Sequence, residues 1–450
     1  MSRLSIVIPC ALLSTACFNP DPGAVSASGS SGGSGSGDDT SMTTMVSVSG
    51  TGQMSAEGSS GTPPLDTTVG SADSTTSVGT SGTTESVGTT EAVEDSGTTG
   101  EPLPCVPVGP AELGYIWIAN SSQSTISRIA TDSMVEQGRY LTRPDMNGDP
   151  SRTSVSLSGD VAVANRSGGL TKFYGDVADC IDLDGSGAIE TSTGAADIRP
   201  WNQEECRAWH TPMVYTSQRP VAWAAGVLDE INCEYVDEVV WTAGVVNDAT
   251  VEVLRVDGDT GVVQDVVVIP EIVPNFYGLY GGAVDAEGNF WASMLGQASL
   301  VRVDGATLDY QIWPMATTGY GMTVGASGYV FTCSNSVGRF DPVTETWTVS
   351  APVGGSGGCA EDGMGRLWLA SNPLVAIDVN TLTVVETINL PQYVHGVSVD
   401  FDDRIWGVTI FAPEAYRVDP VAGTFDTFSG LTQPYTYSDM TGFALTAVTP

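Results

Sequence analysis

The sequence predicts an all-β fold, a seven-bladed β-propeller of four-stranded blades closed by the C-terminal strand and preceded by a disordered N-terminal tether. Three observations lead there. Four stretches repeat: Val284-Asp285-Ala286-Glu287-Gly288-Asn289-Phe290-Trp291, then Val324 to Phe331, Glu361 to Trp368 and Val399 to Trp406. Their closing aromatics, Trp291, Phe331, Trp368 and Trp406, fall 40, 37 and 38 residues apart, a period that marks blades rather than a helical array. Each unit then carries an apolar strand ending in Asp (Arg255-Val256-Asp257, Arg302-Val303-Asp304, Arg339-Phe340-Asp341, Ala376-Ile377-Asp378, Arg417-Val418-Asp419). Behind that Asp a Thr- or Gly-containing turn leads to an alternating strand such as Thr383 to Ile388, which gives four short antiparallel strands per unit.

Taken from the N-terminus, residues 1–16 read as a secretion signal: one basic residue, Arg3, the apolar run Leu4 to Leu13, and small residues before Cys17. The run is too short to span a bilayer as a mature helix. Leu13-Ser14-Thr15-Ala16-Cys17 resembles a bacterial lipobox, so Cys17 is the expected lipidation site and the membrane is expected to be met through that anchor alone. Residues 17–104 are Gly, Ser and Thr with scattered acids and almost no large apolar side chains. Such a segment cannot bury enough surface to offset its ordering entropy and is expected to act as a disordered leash.

The propeller is expected over residues 105–450, with an insertion at 174–213. Counting backwards from Trp291, Trp241 marks the third unit, Ala162 the second and Trp117 the first, which lacks an inner strand of its own. The run from Met440 to Val448 reads as an inner strand without a blade, and pairing it with the Trp117 strand would close the ring and remove the open edges.

Of 53 acidic and 16 basic residues, 42 and 15 lie from Cys105 onward, within a net charge of −37. A surface this acidic repels nucleic acid and anionic lipid, so neither is expected as a partner. Six cysteines remain after Cys17, and an oxidising compartment pairs them. Fifteen pairings are possible; Cys180 with Cys206 would close the insertion, Cys333 with Cys359 would join neighbouring blades, and Cys105 with Cys233 follows by elimination.

The pattern of Gly, apolar, Asp, two residues, Gly, apolar, Trp, followed by Arg-apolar-Asp-Pro, resembles the repeat of the streptogramin B lyase-like (virginiamycin B lyase-like) propellers. The segment Tyr435-Thr436-Tyr437-Ser438-Asp439-Met440-Thr441-Gly442 is similar to a closing strand of that group. The resemblance implies a seven-bladed disc over roughly residues 114–448. It also implies an elimination reaction using Mg²⁺, a catalytic His and neighbouring Glu residues. Tyr393-Val394-His395-Gly396-Val397 resembles the segment bearing that His, so His395 is the one position carried over, as a candidate general base.

Two further sites are expected from the residues themselves. In a propeller the loop entering each inner strand forms the channel mouth, which places Ser151, Tyr280, Tyr320, Gly357, His395 and Asp439 around one opening suited to a small ligand or cation. Within the insertion, Asp182, Asp184, Ser186 and Glu190 stand at loop positions one, three, five and nine, with Gly187 at six, as in an EF-hand-like calcium loop. Position twelve is Thr193 in place of a bidentate Glu. Trp201, Trp209 and His210 in the same insertion could anchor a partner or pack the lobe onto the rim. The sequence is thus read first as an exported, monomeric binding or scaffold propeller for a protein, peptide or glycan ligand. The alternative is a C–O lyase using His395 and a divalent cation.

Overall fold

The computed structural model describes residues 105–246, 249–296 and 299–449. The signal, Cys17 and the tether lie outside them. Seven antiparallel sheets follow one another along the chain. The first has three strands, Tyr115–Asn120, Thr125–Ala130 and Glu136–Leu141. The second runs from Pro150–Val155 through Val161–Asn165 and Leu170–Phe173 to Arg207–Thr211. The third begins at Ser217–Ala224, carries the hairpin Val227–Asp229/Glu234–Val236, and continues through Val239–Val245, Val251–Asp257 and Val263–Ile269. Blades four to seven are four-stranded meanders whose inner strands are Leu279–Val284, Gly321–Val324, Cys359–Glu361 and Val394–Val399.

Blade one is completed by the C-terminal segment, which lies along Tyr115–Asn120 through three bonds. Trp117 N donates to Met440 O (2.9 Å), Tyr435 N to Ala119 O (3.1 Å) and Ser121 N to Gln433 O (3.2 Å). The ring is therefore closed as expected, but by residues 433–440. Where a strand from Met440 to Val448 was expected, the chain turns at Gly442 (φ 88°) into a short helix, α1, Phe443–Val448. The cause is local: Asp439 accepts from Gly442 N at 2.8 Å and from the N–H groups of Thr441 and Leu445 at 3.3 Å, capping the helix and ending the extended run. Close approach of the closing segment needs glycine on blade seven, since a Cβ at Gly396 would overlap Thr436 O.

The core lies between blades. Trp117, Trp223, Trp241, Trp291, Trp368 and Trp406 are fully buried, each removing about 200 Å² from water. All three expected disulfides are present: Cys180–Cys206, Cys333–Cys359 and Cys105–Cys233, with Cα atoms 4.5, 6.2 and 5.5 Å apart. The insertion is shorter than expected. Arg207–Thr211 is the outer strand of blade two, paired with Leu170–Phe173, so Trp209 and His210 belong to the repeat. No Asp-ended turn precedes that strand, which hid it from the repeat pattern. Trp209 is buried and its indole N–H donates to Gly258 O of blade three (2.8 Å). It packs rim to rim and is no free anchor. Among the described residues no helix is long and apolar enough to cross a membrane.

Candidate binding site at the channel mouth

Each inner strand enters the channel at its N-terminal end, and the side chains at those ends converge. Blade one supplies Tyr435 and Tyr437 from the closing segment, blade two Arg152, blade three Arg219, blade four Tyr280, blade five Tyr320 and blade seven His395. Blade six supplies Gly357, where a Cβ would overlap His395 O, so that sector carries no side chain. The hydroxyls of Tyr280, Tyr320 and Tyr435 form a triangle, at 2.9 Å (280 to 320), 2.7 Å (280 to 435) and 2.6 Å (320 to 435). His395 extends it: Nε2 lies 2.7 Å from the Tyr320 hydroxyl and Nδ1 2.9 Å from that of Tyr393.

Arg152 stands in this cluster with no exposed surface. Its guanidinium carbon lies 3.0 Å from the Tyr437 ring centroid and 4.9 Å from that of Tyr280. Arg219 lies 4.9 Å from the Tyr280 ring and 4.6 Å from that of Tyr277. Burial pushes the Tyr435 hydroxyl up, but the Arg219 and Arg152 guanidiniums outweigh it and hold Tyr435 below the usual tyrosine value. Burial raises Tyr320 well above that value and carries Tyr280 in the same direction. The hydroxyl nearest both cations in effect is thus the acidic member of the triangle. Outside the cluster Phe276, 58% exposed, packs on Tyr277, and Phe411, 70% exposed, packs on Tyr393.

The structure thus brings together Tyr280, Tyr320 and His395 among the expected mouth residues. Ser151 lies beside them, buried, with its hydroxyl unpartnered among the described residues. Asp439 does not join them. It sits deeper, over α1, in a cavity of about 40 Å³ lined by Ser154, Trp223, Val324, Glu361, Ser398 and Leu445 among others. Burial raises the Asp439 carboxyl to about 6, against the backbone N–H groups of Gly442 and Leu445, and raises Glu361 to about 7. Such a volume holds a water or two but no organic ligand. The sequence pattern missed Arg152, Arg219, Tyr435 and Tyr437. Arg152 is one residue past the position the repeat selects, and the two tyrosines belong to a strand whose register could be fixed only by its partner.

A Mg²⁺ ion asks for oxygen ligands, chiefly carboxylates. The mouth offers phenols, an imidazole and three guanidiniums, of Arg152, Arg219 and Arg166, the last 4.8 Å from the Tyr435 ring, and both His395 nitrogens are engaged by tyrosine hydroxyls. This donor set does not fit the cation. In the insertion, carboxylate oxygens of Asp182, Asp184 and Glu205 all lie within 4.8 Å of one another. The other two expected ligands face elsewhere: Glu190 pairs with Arg199 at 3.0 Å and the Ser186 hydroxyl donates to Ala188 O at 2.9 Å.

No protein-family model matches this chain, and no curated protein matches it. Among solved structures it is similar to virginiamycin B lyase from Staphylococcus aureus, at 13% identity over 66% of this chain and 92% of that one, with a TM-score of 0.46. A functionally unknown protein from Desulfotomaculum acetoxidans DSM 771 gives 12% identity over 71% and 96%, with a TM-score of 0.51. A streptogramin B lyase gives 15% identity over 66% and 88%, with a TM-score of 0.44. At these identities the likeness is one of fold alone.

Proposed function

We propose that the chain is an exported binding module, anchored through Cys17, whose channel mouth receives a peptide, protein or glycan ligand. One observation carries this: side chains from six of the seven blades close on one opening, and the exposed Phe276 and Phe411 rim it. Exposed aromatic rings packed edge-on or tilted against the partly buried Tyr277 and Tyr393 offer contact area with little side-chain entropy to lose, which suits a recognition face. The three disulfides support an oxidising compartment and so export. With both His395 nitrogens held by tyrosines and no fit for Mg²⁺, the binding reading is supported over the elimination reading. A calcium ion in the insertion is part of the proposal, with Asp182, Asp184 and Glu205 as its ligands. Peptide and glycan arrays probed with the full chain test the main reading. The Phe276→Ala/Phe411→Ala double variant should lose about tenfold or more in capture, whereas Val343→Ala, exposed elsewhere, should capture normally. An unmutated chain that captures nothing, or a double variant that captures as well, would sink the proposal.

A further inference from the structure

Arg152 is a buried cation whose hydrogen bonds are half made. Its Nη1 donates to Ser151 O at 3.1 Å, while Nε and Nη2 find no acceptor among the described residues. Those two N–H groups lie along one edge of the planar guanidinium, the edge that takes a carboxylate in a bidentate fork. Among the described residues no carboxylate pairs with it, in a domain that holds 42 acids against 15 bases. A buried charge left so is costly, and burial, with the Arg219 charge adding to it, lowers this guanidinium to about 10 against the neighbouring tyrosines. Two more buried donors nearby are unpartnered, the hydroxyls of Ser151 and Tyr437. The packed rings replace hydration on the faces of Arg152 but offer nothing to its edge.

We propose that the mouth takes a carboxylate-bearing ligand, its oxyanion forked onto Nε and Nη2 of Arg152 and its apolar body against the aromatic rim of Phe276, Tyr277, Tyr393 and Phe411. This rests on the reading of the mouth as a binding site. Arg219 adds positive potential from blade three, since its charge is felt at Arg152. Arg152 is shut from solvent under the rings of Tyr280, Tyr435 and Tyr437, so entry requires a covering ring to swing aside; of the hydroxyl triangle only Tyr320 keeps partial contact with water. The acidic surface of the domain then acts as a filter: it disfavours polyanions, and a single carboxylate on an apolar body is the anion that can reach the channel.

The test is calorimetric titration of the full chain with benzoate, and with benzyl alcohol as the same ring without the charge. Benzoate should bind about ten- to a hundredfold more tightly. Arg152→Lys, which keeps a cation beside Tyr437 but loses the fork, should erase that preference, and Arg152→Gln should do the same. Where the Gln variant fails to fold by circular dichroism, the Lys variant decides. Equal binding of the two probes to the unmutated chain overturns this inference and leaves the mouth reading standing. Binding of neither overturns both. A preference for benzoate retained in folded Arg152→Lys places the oxyanion elsewhere and also overturns it.

Discussion

Glu205 supplies a carboxylate that the acidic loop lacks at its twelfth position, and it does so from outside the loop. It precedes Cys206, and the Cys180–Cys206 bridge draws it beside Asp182; its Oε1 accepts from Leu183 N at 2.9 Å and its Oε2 from Glu190 N at 2.6 Å. The N–H groups of Gly187, Gly185 and Ser186 hold the Asp182 carboxyl below the usual range, so it stays charged in mild acid. Calorimetric titration of the chelator-stripped chain with Ca²⁺ is expected to give one site, in the range of about 10⁻⁴–10⁻³ M typical of extracellular modules. Glu205→Gln and Asp182→Asn should each abolish the heat, and a silent unmutated chain would end the calcium reading. Asp182 and Asp184 were legible because alternate residues of a turning loop share a centre. Glu205 was not, because its place depends on a disulfide and not on spacing. Arg152 escaped for a related reason: nothing in a strand's alternation says which buried side chain will go without a partner.

At the scale of the repeat, the signature that made the fold readable is a hydrogen-bonded clamp. Asp400 Oδ2 accepts from the Trp406 indole at 2.8 Å while its Oδ1 takes the N–H groups of Asp402 (3.0 Å) and Arg404 (2.9 Å). Asp285 with Trp291 (2.7 Å) and Asp362 with Trp368 (2.8 Å) repeat it. One carboxylate therefore fixes the turn between the first two strands and satisfies the buried indole between blades. Blade five breaks both halves together, with Gly325 and Phe331. A Cβ at Gly325 would require the Glu361 carboxylate to move aside, and a phenyl ring needs no acceptor. Asp400→Gly should accordingly cost about 2–4 kcal/mol in urea denaturation, from the lost turn bonds and the orphaned indole. Trp406→Phe should cost less in that background than in the unmutated chain, with a coupling of about 1 kcal/mol. Strict additivity would refute the clamp. The sequence displayed the Asp and Trp as period markers, and so the blade count followed. It did not display what α1 depends on, a carboxylate three residues before Gly442 turning back onto the chain, and for that reason the repeat reading placed the closing strand several residues too late, at Met440–Val448, whereas the family resemblance put it at Tyr435–Gly442, close to where it lies.

Across the whole molecule two sets of carboxylates pull stability in opposite directions with pH. Asp257, Asp304, Asp341, Asp378 and Asp419 each cap a turn after the third strand, accepting from N–H groups two or three residues on, and are held below the usual value mainly by those bonds together with a neighbouring Thr hydroxyl in the first four and the Arg404 guanidinium at Asp419. A depressed carboxyl gives stability that is present above its unfolded pKa and lost as pH falls through the folded one, so these turns fail below about pH 4. Glu238, raised by burial to about 7 where it accepts from Leu157 N and the Ser158 hydroxyl, behaves in the opposite sense, as do Glu361 (about 7) and Asp439 (about 6). A raised carboxyl gives stability that is full below its unfolded pKa and lost as pH climbs through the folded one, here between about pH 4 and 7. His210, lowered by burial to about 4, works against these three over much of that window, but it is one group against three. The self-repulsion of a net −37 also grows as the remaining acids ionise. Thermal melts across pH 3 to 9 should therefore peak near pH 4–6 and fall towards pH 8, with added salt recovering more stability at pH 8 than at pH 5. Glu361→Gln isolates one contributor: it should stabilise by about 1–2 kcal/mol at pH 8, discounted because the side chain keeps some contact with water, and change little at pH 4. A melting temperature that climbs steadily from pH 4 to 8 would mean that the buried carboxylates of the channel and of the blade two to blade three seam are not protonated in the fold, and the cavity above α1 would then be a charged chamber rather than a neutral one.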